Sequence, residues 1–331
     1  MYTLENALYP PIEAYDTGML EVGDGHTLYY EQSGNPYGIP LVIFHGGPGY
    51  WSSAGHRRYG NPQKYRTILF HQRGCGLSTP LGSLEKNETK YLLKDIDKLL
   101  AHLEIKKAIF MGGSWGSTLA LLYAQHNPKS VLGLILYGVY LGDQEWTDWY
   151  LEKNGASLFF PEDYQKVEDA LSKEEGKTVA QKTLNSKLKN PQSETAKAIV
   201  DWETRLVTND FSLFPAEKDN LSKDVLAPER VKQAELAAGL IEMHYLANNC
   251  FIKKNQILDN IAQIKHLSCY IAQGRYDMIC PPKQAWLVKQ QWPKAFLKIV
   301  GDAGHHSREL RPYLVKALDV FDRDHGFDVL K

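Results

Sequence analysis

The chain has 331 residues, of which 43% are hydrophobic, and its 38 Lys and Arg nearly balance its 39 Asp and Glu. This composition is typical of an ordinary globular protein, long enough for one large α/β domain with an inserted subdomain. Because the sequence has no basic patch and no long run of like charges, it excludes nucleic acid and anionic membrane surfaces as favoured partners.

The N-terminal segment, residues 1–10, has no basic region followed by an apolar stretch, so we do not expect a signal peptide there. No apolar run in the sequence reaches membrane-spanning length. The four cysteines are scattered and lack metal-ligand spacing, which favours free thiols over disulfides. We therefore expect a cytoplasmic protein that needs no metal and no cofactor.

The first predicted elements are two strands, residues 18–23 and 26–31, which alternate in polarity around Asp24-Gly25 and predict an antiparallel hairpin. Short, continuously apolar runs follow, and such runs are typical of parallel strands buried on both faces. The runs are Leu41–Phe44, Thr67–Phe70, Ala108–Met111 and Val131–Leu136.

Helical patterns alternate with these strands. Asn87 is placed to cap a helix whose apolar stripe includes Leu92 and Ile96, and a second helix should end before Asn127-Pro128. This alternation predicts an α/β fold with a mostly parallel sheet and helices on both of its faces.

The pattern changes from about Gly142 to Asn249, where the sequence is rich in charge, Trp and Tyr, reads as helical and lacks buried-strand runs. The strand pattern then returns at residues 266–272 and 295–300. We therefore predict a core formed by residues 1–141 and 250–331, with residues 142–249 inserted as a helical cap.

The stretch Gly112-Gly-Ser-Trp-Gly116 has the G-x-S-x-G spacing of a nucleophile elbow, a sharp strand-to-helix turn that exposes a strained serine. Glycines are expected at its ends because side chains there would collide with the neighbouring strand and the following helix. The motif, placed between a predicted strand and helix, favours an α/β-hydrolase fold with Ser114 as the nucleophile. The alternative is a glycine-rich turn with an incidental serine.

A serine nucleophile needs a base, and the base needs a group that orients it. In this fold the acid and then the histidine follow the serine along the chain, and Asp277 and His305 each come shortly after a predicted strand. We predict that His305 is the general base and that Asp277 orients it. Asp302 is a weaker candidate for the acid because it lies too near His305, and His306 is the main rival for the base.

The negative charge of a tetrahedral intermediate needs N–H donors, and one is expected from Trp115, the residue after the nucleophile. The second should come from the loop after the first parallel strand, His45-Gly-Gly-Pro-Gly49. Its glycines allow the backbone to approach a substrate. Gly47 is the preferred donor and Gly46 the second choice, whereas His45 is expected to fix the loop rather than transfer protons.

Together these motifs resemble the prolyl aminopeptidase (proline iminopeptidase) family of α/β-hydrolases, which are serine peptidases. The resemblance extends over nearly the whole chain and is weakest over residues 152–191. The segments that carry it are His45–Gly49, Gln72–Ser78, Gly112–Leu121, Trp202-Glu203, Glu242–Tyr245, Gly274–Asp277 and Ala303–His305.

The resemblance implies an exopeptidase that removes an N-terminal proline from peptides with a free N-terminus. Glu203 and Glu242 would then bind the substrate amine, and Tyr137 and Tyr140 would line the substrate pocket. Two such carboxylates suit a buried ammonium, and their mutual repulsion should raise a pKa in the empty site. Taken alone, either Glu is more simply interpreted as a solvated helix carboxylate or as the partner of an arginine such as Arg205.

The chain departs from the family pattern at His71, Tyr137 and His306, where the family has Asp, Arg and Ser. None of these positions belongs to the predicted triad, so the mechanism transfers more directly than the specificity for proline. Two alternatives stay open: an esterase or amidase of the same fold, and a noncatalytic ligand-binding protein of that fold. The sequence also leaves open whether the protein is a monomer or a homo-oligomer.

Overall fold

The computed structural model describes residues 7–207, 226–305 and 308–327. The strands are β1 (Ala14–Gly23), β2 (His26–Gly34), β3 (Ile39–Phe44), β4 (Tyr65–Phe70), β5 (Ala108–Ser114), β6 (Val131–Val139), β7 (Ser268–Gly274) and β8 (Phe296–Val300). The helices are α1 (Thr89–His102), α2 (Trp115–His126), α3 (Gln144–Leu151), α4 (Pro161–Leu171), α5 (Val179–Lys189), α6 (Glu194–Val207), α7 (Pro228–Ala247), α8 (Gln256–Asp259), α9 (Lys283–Gln291) and α10 (Arg311–Asp324).

The eight strands form one sheet in the order β1-β2-β4-β3-β5-β6-β7-β8. The predicted hairpin is confirmed, because β1 and β2 pair antiparallel and Asp24 and Gly25 at its turn both have positive φ. Strands β3 to β8 run parallel, and β2 joins them antiparallel to β4. The carboxyl ends of six strands therefore meet at one edge of the sheet, which is where sites form in open α/β sheets.

A hydrophobic core covers each face of the sheet. Along β3, Val42 and Phe44 belong to the larger core, whereas Leu41 and Ile43 point to the opposite face and the core that α10 completes. Every one of these four side chains is fully buried. This two-sided burial explains why the parallel strands read as continuous apolar runs rather than as alternating ones.

Between β6 and β7 the described residues contain helices α3 to α8 and no strand. Helix α7 lies directly on the loop after β3, since a Cβ added at Gly49 would stand 2.5 Å from the Ala238 carbonyl oxygen. On the same helix, the Tyr245 hydroxyl donates a 3.0 Å hydrogen bond to Asn87 Oδ1. The glycine loop thus positions the inserted helices over the carboxyl edge of the sheet.

The expected role of Asn87 as a helix cap is wrong. The N-cap of α1 is Glu88, and the Asn87 side-chain amide instead donates to the carbonyl oxygens of Arg73 and Ser83, each at 2.9 Å. Asn87 therefore connects the loop after β4 to α7, a long-range role that overrides its local preference for a cap.

All four cysteines are free and buried, as predicted from their spacing. Burial raises the pKa of each thiol, so all four stay protonated near neutral pH. None of the helices in the described ranges combines the length and the apolar character needed to cross a membrane.

We predict that Gly49→Ala lowers the free energy of unfolding by about 1–3 kcal/mol, because Gly49 has a φ of 106° and its Cβ would press on the Ala238 carbonyl. Gly301→Ala is the matched control, since its Cβ would meet nothing within 4 Å. Urea unfolding of both variants measures the difference. Equal stabilities would show that α7 does not depend on the loop for its position.

Candidate active site

Strand β5 ends at Ser114 and helix α2 begins at the next residue, so the serine occupies a strand-to-helix turn. Its backbone has φ 54° and ψ −130°. A residue other than glycine in such a region costs on the order of 1–3 kcal/mol and is held there only by its surroundings. The strained serine conformation expected from the motif is therefore present.

The glycines around Ser114 are required by close packing. A Cβ at Gly112 would collide with the Gly116 carbonyl on α2, and a Cβ at Gly116 would collide with the Phe44 carbonyl on β3. A Cβ at Gly113 would overlap the ring of Tyr137 on β6. The steric reason predicted for the two outer glycines is confirmed, and the third makes room for an aromatic side chain that lines the cavity.

Asp277 and His305 lie together in the loops after β7 and β8. His305 Nδ1 is 2.9 Å from each carboxylate oxygen of Asp277, and both side chains are buried. Asp277 Oδ1 also accepts the backbone N–H groups of Ile279 at 3.1 Å and Cys280 at 2.7 Å. These donors hold the carboxylate in place, and the carboxylate in turn fixes the imidazole with its proton on Nδ1, so that Nε2 is the basic nitrogen of the ring.

Of the two rival residues, Asp302 does not share this position, because it is exposed. His306 lies outside the described residues. Gly138 at the end of β6 leaves the space that the pair occupies, because a Cβ there would be 3.3 Å from the His305 ring and 3.4 Å from Asp277 Oδ2. The geometry therefore joins His305 to Asp277, and both Ser114 and His305 line the same cavity.

A buried hydrogen-bond network links the elbow to the glycine loop. Trp115 Nε1 donates to Gln72 Oε1 at 2.9 Å, and Gln72 Nε2 donates to the His45 carbonyl at 3.1 Å. The Gln72 backbone N–H donates to His45 Nε2 at 3.0 Å, which leaves the Nδ1 proton of His45 to bind the Gly46 carbonyl at 2.9 Å. Burial lowers the pKa of His45 to about 3, so the ring is neutral and fixes the loop, as expected.

The cavity has a volume of about 320 Å³ and lies between the sheet edge and the inserted helices. Its lining combines the elbow, the glycine loop, four tyrosines and two acids. The residues that line it are His45, Gly46, Gly47, Tyr50, Trp51, His56, Gly113, Ser114, Tyr137, Tyr140, Tyr150, Glu203, Val207, Glu242, Leu246, Ile279, Cys280 and His305.

Glu203 on α6 and Glu242 on α7 bring two carboxylates into this cavity. Burial raises the pKa of Glu203 to about 7. The pKa of Glu242 is also raised well above its usual value, first by burial and then by the charge of Glu203. Glu242 Oε1 accepts a long hydrogen bond of 3.5 Å from Tyr150, and Glu203 Oε1 has no partner among the described residues. The pair is therefore short of positive charge and of donors.

Two arginines that could have paired with acids of the site, Arg205 and Arg73, are engaged elsewhere. Arg205 Nε lies 3.1 Å from Asp163 on the outside of the cap, so it does not neutralise Glu203. Arg73 forms a buried, two-point ion pair with Asp95 at 2.6 and 2.8 Å. The His71 ring is neutral, because burial lowers its pKa to about 3, and its Nδ1 accepts the Leu77 N–H at 3.0 Å. His71 thus has a local structural role.

Cys280 is a site residue for which the sequence suggested no role. Its thiol lies beside Ser114, and within the described residues Asp277, Cys280 and His305 bring one ligand atom each within 4.8 Å of one another. Such a group can hold a metal in principle, but the thiol is protonated and Asp277 is already bound to the imidazole and two amides. The arrangement is better suited to proton transfer.

We predict that Glu203→Gln stabilises the protein at pH 8 but not at pH 5. The folded-state pKa of about 7 exceeds the ordinary value of 4.5, so the folded protein binds more protons between these values and its stability falls as pH rises through that window. Removing the acid removes this loss, and the melting temperature at pH 8 should rise by about 2–4 °C. Glu235→Gln, at an exposed position of α7, is the control. An equal effect of Glu203→Gln at both pH values would contradict the raised pKa.

Comparison with known proteins places the chain in a family. A family model described as the alpha/beta hydrolase fold matches residues 39–312. The chain is 42% identical over 313 residues to "Proline iminopeptidase" of Arabidopsis thaliana, covering 92% of this chain and 79% of that protein. It is 40% identical to "Probable proline iminopeptidase" of Leptolyngbya boryana, covering 95% and 96% of the two chains.

Solved structures agree on the fold. A proline iminopeptidase of Mycobacterium smegmatis superimposes with a TM-score of 0.62 at 15% identity, covering 93% of this chain and 99% of that one. An esterase of Rhodococcus gives 0.59 at 18% identity, covering 94% and 99%, so the fold alone does not distinguish these activities. The sequence relatives do, and the chain belongs to the proline iminopeptidase family of α/β-hydrolases.

Proposed function

We propose that the protein is a serine exopeptidase that releases an N-terminal residue, preferentially proline, from peptides through an acyl-enzyme intermediate. The observation that carries the proposal is one cavity that contains both the elbow serine with its buried imidazole–carboxylate pair and two acids, with no Lys or Arg among the residues that line it. The first set supplies the chemistry, and the second selects a substrate that brings a positive charge.

In the proposed reaction, Ser114 attacks the carbonyl carbon of the first residue while His305 Nε2 takes the hydroxyl proton. Asp277 holds the imidazole and stabilises its charged form. The two backbone N–H groups that donate to the Asp277 carboxylate fix the position of that carboxylate. His305 then gives the proton to the departing amine. Water attacks the acyl-enzyme by the same proton transfers, which frees the first residue and restores Ser114.

Trp115 and Gly47 are proposed as the donors to the oxyanion. The peptide group between Gly46 and Gly47 has its C=O and N–H on opposite sides, and the Gly46 carbonyl is bound to His45 Nδ1. The Gly47 N–H therefore points away from His45, on a residue that lines the cavity. Gly46 remains the second choice. Gln72 has a positioning role, because it joins the Trp115 side chain to the loop that carries the other donor.

Glu203 and Glu242 are proposed to bind the substrate ammonium. The secondary ammonium of an N-terminal proline has two N–H donors, one for each carboxylate, and its charge relieves the repulsion between them. A substrate whose N-terminus is acylated or extended has no such cation, so the buried acids would stay unpaired. This requirement limits cleavage to the first peptide bond.

Tyrosines supply the apolar part of the site. Tyr137 and Tyr140, together with Tyr150, line the cavity, and their rings offer flat surfaces for a pyrrolidine ring. The Tyr140 hydroxyl is bound to Thr147 at 2.8 Å, which fixes its ring. The shape and the chemistry of this pocket support a preference for proline over longer side chains.

We retain the division into a core of residues 1–141 and 250–331 and a cap of residues 142–249 as part of this proposal. The partners are peptides with a free N-terminus. Free thiols at all four cysteines support a reducing compartment, and we propose the cytoplasm.

We predict that Ser114→Ala and Asp277→Asn each lower kcat for L-proline p-nitroanilide by at least about a thousandfold, because each removes one member of a unit that acts together. Their melting temperatures should stay close to that of the wild type. Ser172→Ala, an exposed serine on the cap, is the matched control. Near-native turnover by Ser114→Ala would remove the proposed mechanism.

We predict that Glu203→Gln and Glu242→Gln each raise KM for L-proline p-nitroanilide by at least about tenfold, since each leaves the buried ammonium with one charged acceptor fewer. The slow hydrolysis of N-acetyl-L-proline p-nitroanilide should change little, and Glu235→Gln should behave as the wild type. L-alanine p-nitroanilide and a short acyl ester complete the comparison. Equal activity of the wild type on all of these substrates would favour an esterase or amidase without a preference for proline.

A further inference from the structure

A buried lysine lies behind the two acids of the cavity. Lys187 on α5 is only 5% exposed, and no hydrogen bond or ion pair joins it to another of the residues that the structure describes. Its charge acts on both acids, because it lowers the pKa of Glu203 and of Glu242 against the larger effect of burial. Lys187 is not among the residues that line the cavity, so it does not contact the substrate there.

Gly239 provides the space for this ammonium. A Cβ added at Gly239 would collide with Lys187 Nζ, and Gly239 precedes Glu242 by three residues on α7. Residues three apart lie on the same side of a helix, so the ammonium stands against the side of α7 that also carries Glu242. Glycine in the middle of a helix is unfavourable compared with alanine. At position 239 the absence of a side chain makes room for the Lys187 ammonium.

The charges of the site balance only when Lys187 is counted. Two ionised glutamates and one substrate ammonium leave a net charge of −1 in an enclosed site, which is costly. Adding the Lys187 cation brings the occupied site to neutrality. Both glutamates can then stay ionised, which lets each accept one N–H of the substrate.

We propose that Lys187 is a positioning residue that supplies the third charge of the amine site and favours the ionised forms of Glu203 and Glu242 when a substrate ammonium is bound. This inference rests on the proposed function, since it assigns a role to the same two acids. In this role Lys187 is a fixed cation of the cap, held in the space at Gly239, and it contributes to the affinity for free-amine substrates.

Other titratable groups lie near Glu203 and Glu242 and could also contribute to the pH dependence of activity. Tyr150 donates to Glu242, and Tyr50 stands near both acids and Glu235. Cys250 lies close enough to Glu242 for that charge to raise the pKa of the thiol. Burial keeps these phenols and the thiol neutral near pH 7. The other groups that bear on the profile are Lys187, the exposed Glu235, and His305, the proposed base, which lines the same cavity.

The test compares Lys187→Met with the wild type on L-proline p-nitroanilide over pH 5–9. Methionine has a similar length and no charge, and Lys189→Met is the matched control because Lys189 is exposed on the same helix. We expect the acidic limb of kcat/KM to move to higher pH by about one unit, the size of shift that the loss of one nearby charge produces. KM at pH 7 should rise by about three- to tenfold, with kcat changed less than about twofold.

Gly239→Ala gives a second, independent measurement, because the new methyl group displaces the ammonium without removing its charge. It should move the acidic limb in the same direction by a smaller amount, and it keeps the inference testable if Lys187→Met does not fold. Profiles of both variants that coincide with those of the wild type and Lys189→Met would overturn the inference. A lower KM with an unmoved acidic limb would also overturn it, since Lys187 would then only repel the substrate.

The wild type separates this inference from the proposed function. If the wild type hydrolyses N-acetyl-L-proline p-nitroanilide as well as the free amine, the amine site itself is wrong, and the role of Lys187 fails with it. If the wild type prefers the free amine and Lys187→Met retains the same profile, only the role of Lys187 is wrong.

Discussion

The site depends on the turn that holds Ser114 at a φ of 54°, a conformation the residue does not adopt by itself. Close contact between β3, β5 and α2 imposes it, and Gly112 and Gly116 permit that contact because they have no side chains. The same turn brings the Trp115 backbone to the sheet edge. Strand β6 then separates β5 from β7, and Gly138 at its end leaves the gap in which His305 meets Asp277. One steric constraint therefore organises the reacting groups.

The inserted helices contribute the groups that are proposed to select the substrate. They enclose two carboxylates whose ionised forms are disfavoured by burial, so the empty site holds an electrostatic cost that a cationic substrate relieves. Because α7 is seated on Gly49, the loop that is proposed to offer a donor to the oxyanion also contacts the helix that carries Glu242. In the proposed function, this contact relates the amine site to the reacting carbonyl, as exopeptidase cleavage requires.

Much of this was predictable from local patterns. The hairpin, the parallel strands, the elbow and the positions of Asp277 and His305 after their strands all depend on short segments whose periodicity or spacing is distinctive. Contacts between distant segments were not predictable in this way. Asn87 has the signature of a helix cap but connects two loops to α7, and Gln72 gave no local sign of its bonds to His45 and Trp115. Lys187 reads as a solvated lysine until the packing of α5 on α7 buries it.

The central claim is that Ser114, activated by His305 and Asp277, forms the covalent intermediate. The most direct test is labelling of the intact protein with a fluorophosphonate, followed by peptide mass spectrometry. The account predicts one adduct per chain, on the Ser114 hydroxyl, with loss of peptidase activity in proportion to labelling and no adduct in His305→Ala. An adduct on a different side chain, such as the neighbouring Cys280 thiol, or an unlabelled protein that still hydrolyses L-proline p-nitroanilide, would contradict it.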